Sequence, residues 1–488
     1  MGSTNQYVLA MYDIRGKQDF IFNTNHIKEI VGGSCIIRDC FDRYFYDAAK
    51  GDSAKGVYHG GDAFTEKGFE DHLADGYIGE LVYDGGGNFL VVFKDEDTFR
   101  DVTYHFTRKV YEEIGTLRIL ATCAPGVHFD DYPADRDRLY QKHRLNENSE
   151  SGIAPYATLP VVQVDPGSSR PLTAKYGREK VTKESLRKYE AYDRERENKG
   201  EDMGEKFLDK LVTKKGEDSL LAIIYIDGNN MGAKVKNAIR GLKSYEDCVA
   251  ALRRFSESIE KDYITDRIRE IETGIGKRPV IMAGDEINLI CNAHEALKIA
   301  RTYLEGLRKS GSDKSSCAGI AVFHSHAPYA DAYRIAEECC ESGKKVMKEK
   351  KASVASFLDF HYCQGAIGTS LEEIRKAEGE TNGSRPWLIY CADDDREKLN
   401  GCTDFETVEK IAEFLRKLGR SNVKGLMSVA KESLAALDLE LKRIEAHMPE
   451  NKKSAVNFEF VKGLDPEVRR KLIFDAVSVF DIWFREED

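Results

Sequence analysis

Apolar and polar positions along the 488-residue chain fall into two runs of the same order. The first opens with an apolar strand, YVLAMYD (Tyr7–Asp13), followed by a helical pattern to about Phe45. After an insertion rich in Gly and Asp, YIGELVYDGGGNFLVVF sets two short apolar runs around glycines, which predicts a hairpin. A helix over Asp95–Ile114 and the strand LRILATC complete a β-α-β-β-α-β order. The second run begins with LAIIYID (Leu221–Asp227), a buried strand, and continues as amphipathic helix to about Glu272. RPVIMAGDEINLIC then predicts a hairpin, Ala293–Leu307 a helix, CAGIAVF a strand, Tyr329–Lys350 a helix and SVASFLDF a further strand. A repeat of this length implies two copies of one supersecondary unit. The expected fold is α+β: two ferredoxin-like layers, each an antiparallel sheet with helices on one face.

The pattern divides the chain into a first layer over residues 1–176, a charged helical linker over 177–218, a second layer over 219–378 and a helical C-terminal domain over 379–488. Charge density in YEAYDRERENKGEDMGEKFLDKL predicts an exposed linker helix. In the C-terminal part, Asp404–Leu418, Val423–Met448 and Pro466–Arg485 have the clearest helical period.

A hydrophobic fraction of 41% with 32% charged residues describes a soluble globular protein. No apolar run reaches the roughly 18–20 residues that cross a bilayer. The opening MGSTNQYVLA lacks a basic-then-apolar order, and Gln6 stands where a myristoylation motif has Ser or Thr. No membrane association is expected, and the cytoplasm is the expected compartment. The eleven cysteines form no CxxC and no zinc-finger spacing, which points to reduced, buried thiols. A net charge of −11 argues against strong unspecific nucleic-acid binding, and KKVMKEKK (Lys344–Lys351) has the composition of a solvated helix face.

Candidate chemistry lies in the second layer. Asp227 ends a buried strand, and Asp285 and Glu286 occupy the turn of the hairpin that the topology places beside it. Three converging carboxylates suit Mg²⁺ or Mn²⁺, whose remaining ligands are water and substrate phosphates. Gly284 is expected to admit a phosphate or metal where a Cβ would obstruct it. Asn229, Asn230 and Gly232 open the next helix, whose first amides could receive phosphate oxygens.

IDGNNMG followed by AGDEI resembles the palm of GGDEF-type nucleotidyl cyclases. It resembles more closely the large polymerase-cyclase subunit of type III CRISPR effector complexes, whose turn is usually Gly-Gly-Asp-Asp. DIRGKQDFIFNTNHIKEIVGGSCIIRDCF (Asp13–Phe41) is similar to that family's N-terminal palm, where an Ile-Gln-x-Phe-Ile-like run precedes a Gly-x-Ser turn. The resemblance covers about Gln6–Asp131 and Ser219–Phe360. It implies two palms, with metal bound by Asp227, Gly228, Asp285 and Glu286. Ala283 and Glu286 depart from the usual turn. Lys344, placed as in the cyclase AD-x-ALY-x-AK helix, is implied to neutralise a triphosphate. The first palm has GGGN (Gly85–Asn88) in place of AGDE, so it is degenerate, with Gly33 and Ser34 implied to touch nucleotide.

The activity implied is metal-dependent joining or cyclisation of nucleoside triphosphates, ATP by default, to a cyclic messenger with pyrophosphate release. The setting implied is prokaryotic antiviral defence, with a homodimer or an effector-complex subunit as partner. No histidine-aspartate nuclease pattern is apparent, since Asp71-His72 lies in a loop-like insertion; a stand-alone relative is the expectation. The alternative is a nucleotide-binding regulatory or assembly subunit of a CRISPR-like complex without turnover.

Overall fold

The computed structural model describes residues 7–50, 55–61, 63–85, 88–149, 161–198, 211, 219–267, 277–310, 313–363, 369–377 and 383–485. The chain divides into two compact units. The first is Met1–Glu205, Asn230–Ile264 and Val280–Asp285, and the second is Lys206–Asn229, Thr265–Pro279 and Glu286–Asp488.

In the first unit β1 (Tyr7–Arg15), β2 (Val57–Tyr58), β3 (Gly79–Gly85), β4 (Asn88–Phe93) and β5 (Arg118–Val127) form one sheet in the order β2-β3-β4-β1-β5, and β6 (Ala174–Tyr176) pairs with β7 (Glu179–Val181) in a separate ribbon. Apart from the short parallel strand β2, this is the antiparallel ferredoxin-like order that the repeat predicts. Its helices are α1 (Lys17–Phe22), α2 (Ile27–Arg38), α3 (Tyr46–Ala49), α4 (Glu66–Ala74), α5 (Glu96–Glu113), α6 (Tyr132–Ser149), α7 (Lys183–Asn198), α8 (Met231–Ala238) and α9 (Tyr245–Ile259).

Both faces of this sheet are covered, against the expectation of one. Val8, Ala10 and Tyr12 pack with Phe45, Phe99 and Phe106, while Leu9 and Met11 pack with Phe69, Leu139, Val249 and Leu252. The cause is visible in β1 itself: its near-continuous apolar run has no polar set to turn toward water. The helix α9, expected in the second layer, supplies part of that second cover. Arg253 of α9 donates to the carbonyls of Val82 (3.1 Å) and Leu81 (2.7 Å), where a register shift frees them from the ladder.

Two further expectations change. The charged helix α7 is not an exposed linker: its Lys188, Tyr189 and Tyr192 are buried, and it packs on α2. Its charges are absorbed by pairing, with Lys188 Nζ 2.7 Å from Glu184. Residues 199–210 and 212–218 of the expected linker lie outside the described residues. The insertion holding Asp71 and His72 is likewise helical, as α4, capped by Thr65 accepting from the Gly68 amide (2.9 Å).

A second sheet consists of β8 (Leu220–Gly228), β9 (Lys277–Ala283), β10 (Glu286–Asn292), β11 (Ser316–His324), β12 (Ala355–Tyr362) and β13 (Trp387–Cys391), in the order β13-β12-β11-β8-β10-β9. Strands β11-β8-β10-β9 repeat the ferredoxin-like order. The parallel β12 and the antiparallel β13 extend it, so sheet continues into the segment read as purely helical. The helices α10 (Ala296–Ser310) and α11 (Tyr329–Glu349) pack on this sheet. There follow α12 (Leu371–Ala377), α13 (Phe405–Leu418), α14 (Arg420–Glu432), α15 (Leu434–His447), α16 (Glu450–Lys453), α17 (Phe458–Gly463) and α18 (Pro466–Ser478). The expected helix over Val423–Met448 is two helices. Extended Ser433 stops α14 and caps α15, its hydroxyl accepting from the Ala436 amide (3.1 Å).

Among the described residues no helix is long and apolar enough to cross a membrane. All eleven cysteines are free thiols and eight are buried.

Candidate active site

Strand β8 carries Asp227 one residue before its end. Ile287 of β10 pairs with Ile226, which sets Glu286 opposite Asp227, one step farther along both strands. Directly opposed residues of an antiparallel pair share a face. Asp227 and Glu286 therefore stand side by side, with Tyr225 and Asn288 as the next pair on that face.

Helix α11 covers the same face, and glycines let it come close. A Cβ on Gly319 of β11 would stand 1.8 Å from the Ala336 carbonyl oxygen, and one on Gly343 of α11 would stand 2.8 Å from Phe357 Cβ. The docked helix places Lys344 against Asp227, its ammonium donating to Oδ2, with Glu341 3.4 Å away. Burial alone would lower the Lys344 pKa; the Asp227 carboxylate outweighs it and raises it. Lys344, expected to face phosphates, here neutralises the strand-end carboxylate.

From the preceding turns of α11, the Tyr333 hydroxyl donates to Glu286 Oε1 over a long 3.4 Å and the Tyr329 hydroxyl to Asn288 Oδ1 at 2.8 Å. Burial first, then the Glu286 charge, pushes Tyr225 and Tyr333 above the usual phenol range, so both stay protonated donors. These tyrosines escaped sequence reasoning. The signals were spacings: Tyr225 lies two residues before Asp227 on one strand, and Tyr329 and Tyr333 lie four apart on one helix.

The remaining candidates have varied settings. Asn229 is buried, its side-chain amide donating to Ser315 Oγ (3.2 Å) and the Ala355 carbonyl (2.8 Å), so it fastens the end of β8 to the sheet. Asn230 takes a left-handed φ of 59° as the N-terminal cap of α8, and a Cβ on Gly232 would meet nothing within 4 Å. Gly284 has φ 62° in the two-residue loop Gly284–Asp285, and a Cβ there would likewise meet nothing within 4 Å. The turn's backbone is thus the requirement the structure shows for this glycine. Gly228 ends β8, paired with Ser316.

Gly33 and Ser34 do not form a turn; they lie inside α2. The glycines there admit α7: a Cβ on Gly32 would stand 1.8 Å from the Lys188 carbonyl oxygen, and one on Gly33 would stand 3.3 Å from Lys188 Cε. Ser34 is half-buried.

In the first unit Asp13 is the counterpart of Asp227, and Asn88 pairs with it where the second unit has Glu286. Gly86 and Gly87 of the GGGN turn lie outside the described residues. Asp13 is surrounded by Arg15 (3.3 Å), Lys17 (3.8 Å) and the imidazole of His143 of α6 (3.8 Å). Burial raises its pKa, and His143, Lys17 and Arg15 together pull it below the usual value. The repeat thus includes a covering helix, α6 with His143 and α11 with Lys344.

Among the described residues no group of three or more His, Cys, Asp or Glu side chains is placed to hold a metal ion. The expected three-carboxylate cluster reduces here to Asp227 and Glu286. Two hard-oxygen ligands fit Mg²⁺ or Mn²⁺ completed by water and substrate phosphates, and do not make an all-protein cage.

Comparison with solved structures returns matches over nearly the whole chain. The fold is similar to that of the Csm1-Csm4 cassette of type III-A CRISPR-Csm. The apo cassette matches with a TM-score of 0.48 and 14% identity, covering 99% of this chain and 70% of that one. A cassette in complex with AMPPNP matches with a TM-score of 0.47 and 13% identity, covering 98% and 69%. The Csm1-Csm4 subcomplex in the type III-A CRISPR-Csm interference complex gives a TM-score of 0.47 and 13% identity, covering 98% and 70%. No protein-family model and no curated protein matches the chain.

Proposed function

We propose that the chain is a metal-dependent nucleotidyltransferase that joins or cyclises nucleoside triphosphates, ATP first among them, in prokaryotic antiviral defence. The observation that carries this reading is the Asp227–Glu286 pair on one sheet face beneath Lys344. Asp227 and Glu286 would hold Mg²⁺ or Mn²⁺, with the Gly228 carbonyl beside Asp227 as a further oxygen. The bound ion would supply charge neutralisation at the phosphates. Lys344 would exchange Asp227 for a triphosphate oxygen, and Asn230 and Gly232 would offer amides to phosphate. The 3′-hydroxyl oxygen bonds to the α-phosphorus, the bond from that phosphorus to the bridging β-phosphate oxygen breaks, and pyrophosphate leaves while the hydroxyl proton passes to water. The first palm, which has Asn88 opposite Asp13 where the second has Glu286, would not hold metal.

A second reading, a nucleotide-binding regulatory or assembly subunit without turnover, is favoured by the Lys344–Asp227 pair, which neutralises one metal ligand. Association with an effector-complex partner or a second copy rests on motif resemblance alone. Incubation with each nucleoside triphosphate and Mn²⁺, reading pyrophosphate, separates the readings. Release that disappears in Asp227→Asn supports the enzyme; nucleotide binding without release supports the regulator.

A further inference from the structure

A cavity of about 550 Å³ opens within the second unit at the end of the sheet opposite Asp227. It is walled by Leu220 at the start of β8, His324 at the end of β11 and Tyr362 at the end of β12. Arg420 and Lys424 of α14 and Asp481 supply its charged groups, and Ser219, His294 and Ser478 further polar lining. Seven residues separate Leu220 from Asp227, roughly 23 Å along an extended strand, so this cavity is distinct from the carboxylate site. Its volume is that of a small-ligand site.

The polar groups have one sign in excess. Arg420 pairs with Asp481 at 3.1 Å, while Lys424 has no ion pair among the described residues. His324 Nδ1 accepts the His326 amide at 3.3 Å, which leaves the ring proton on Nε2 as a donor. The first turn of α14 lines the same cavity without a side-chain cap, adding the positive end of a helix dipole. Beside these donors, Tyr362 and Leu220 offer aromatic and apolar surface.

We propose that this cavity binds a small phosphomonoester with a ring system, of the nucleoside monophosphate class, with its phosphate toward Lys424 and His324 and its ring against Tyr362. The inference does not depend on chemistry at Asp227. Isothermal titration of the full chain with AMP tests it, with adenosine and inorganic phosphate as comparison ligands. AMP should bind at least ten-fold more tightly than adenosine, inorganic phosphate should compete with it, and Asp227→Asn should leave its affinity unchanged. Lys424→Glu, at an exposed position that the fold tolerates, should weaken AMP more than ten-fold; His324→Ala should weaken it several-fold. Equal affinity for AMP and adenosine, unchanged binding in Lys424→Glu, loss of binding in Asp227→Asn, or no binding at millimolar AMP would overturn the proposal.

Discussion

Replacing Gly319 by Ala is expected to disturb the candidate site without touching any of its polar groups. The added Cβ would stand 1.8 Å from the Ala336 carbonyl oxygen and 2.5 Å from the Cys340 amide nitrogen. These are backbone atoms, so no rotamer change relieves the clash. Attractive contact between carbon atoms begins near 3.5 Å, so α11 must retreat by roughly 1.7 Å or the strand must buckle. Overpacking of this kind costs about 1–3 kcal/mol. Ala in a strand recovers about 0.5–1 kcal/mol of backbone entropy, which leaves a net loss of about 0.5–2 kcal/mol. Urea denaturation should therefore show a lower midpoint with an unchanged slope. Because α11 carries both Lys344 and Tyr333, affinity for a non-hydrolysable triphosphate should fall as well. A midpoint and affinity equal to wild type would refute the close docking of α11 on β11.

Asp13→Asn should leave pyrophosphate release intact, since that carboxylate is held by Arg15, Lys17 and His143; loss of release with an intact fold would give the first palm a direct chemical role. Lys344→Ala removes a charge-assisted partner of about 1.5–3 kcal/mol, so triphosphate affinity measured by calorimetry should drop ten-fold or more. Arg375→Ala would take from buried Asp359 the guanidinium that binds both its oxygens at 3.1 and 2.8 Å, leaving the Ser342 hydroxyl and the Phe360 amide as donors, and should cost about 3–5 kcal/mol in chemical denaturation. Asp359 is also a pH marker: burial raises its pKa, but Arg375, Arg385 and the Ser342 hydroxyl together outweigh this and lower it below the ordinary 3.8. Its contribution is complete above pH 3.8 and is lost as pH falls through the lower folded value, so acid titration of wild type against Asp359→Asn should diverge only above that window.

Strand order was legible because apolar runs of strand length recur with hairpin glycines between them, and both sheets keep the resulting order. The covering of both faces was legible in part: YVLAMYD has no polar alternation, yet which helices pack on it depends on contacts distant in sequence. The chain from Asn230 to Ile264 follows a strand of the second unit and packs in the first, a choice that no local period records. Gly32 and Gly33 carried the opposite lesson. Adjacent glycines suggest a turn, but these permit a helix crossing, and the carbonyl that Gly32 avoids belongs to Lys188, more than 150 residues away. At the site, the Asp227–Glu286 neighbourhood followed from topology alone. The Lys344–Asp227 pair did not, because it needs α11 to be set down at Gly319 and Gly343.

The central claim is that Asp227 and Glu286 together hold a divalent ion against a triphosphate. Electron paramagnetic resonance of free Mn²⁺, titrated with the chain in the presence of AMPPNP, measures this directly. The account predicts uptake of Mn²⁺ by the wild-type chain that is abolished in both Asp227→Asn and Glu286→Gln. Uptake equal to wild type in both variants, or none in the wild-type chain, would contradict it.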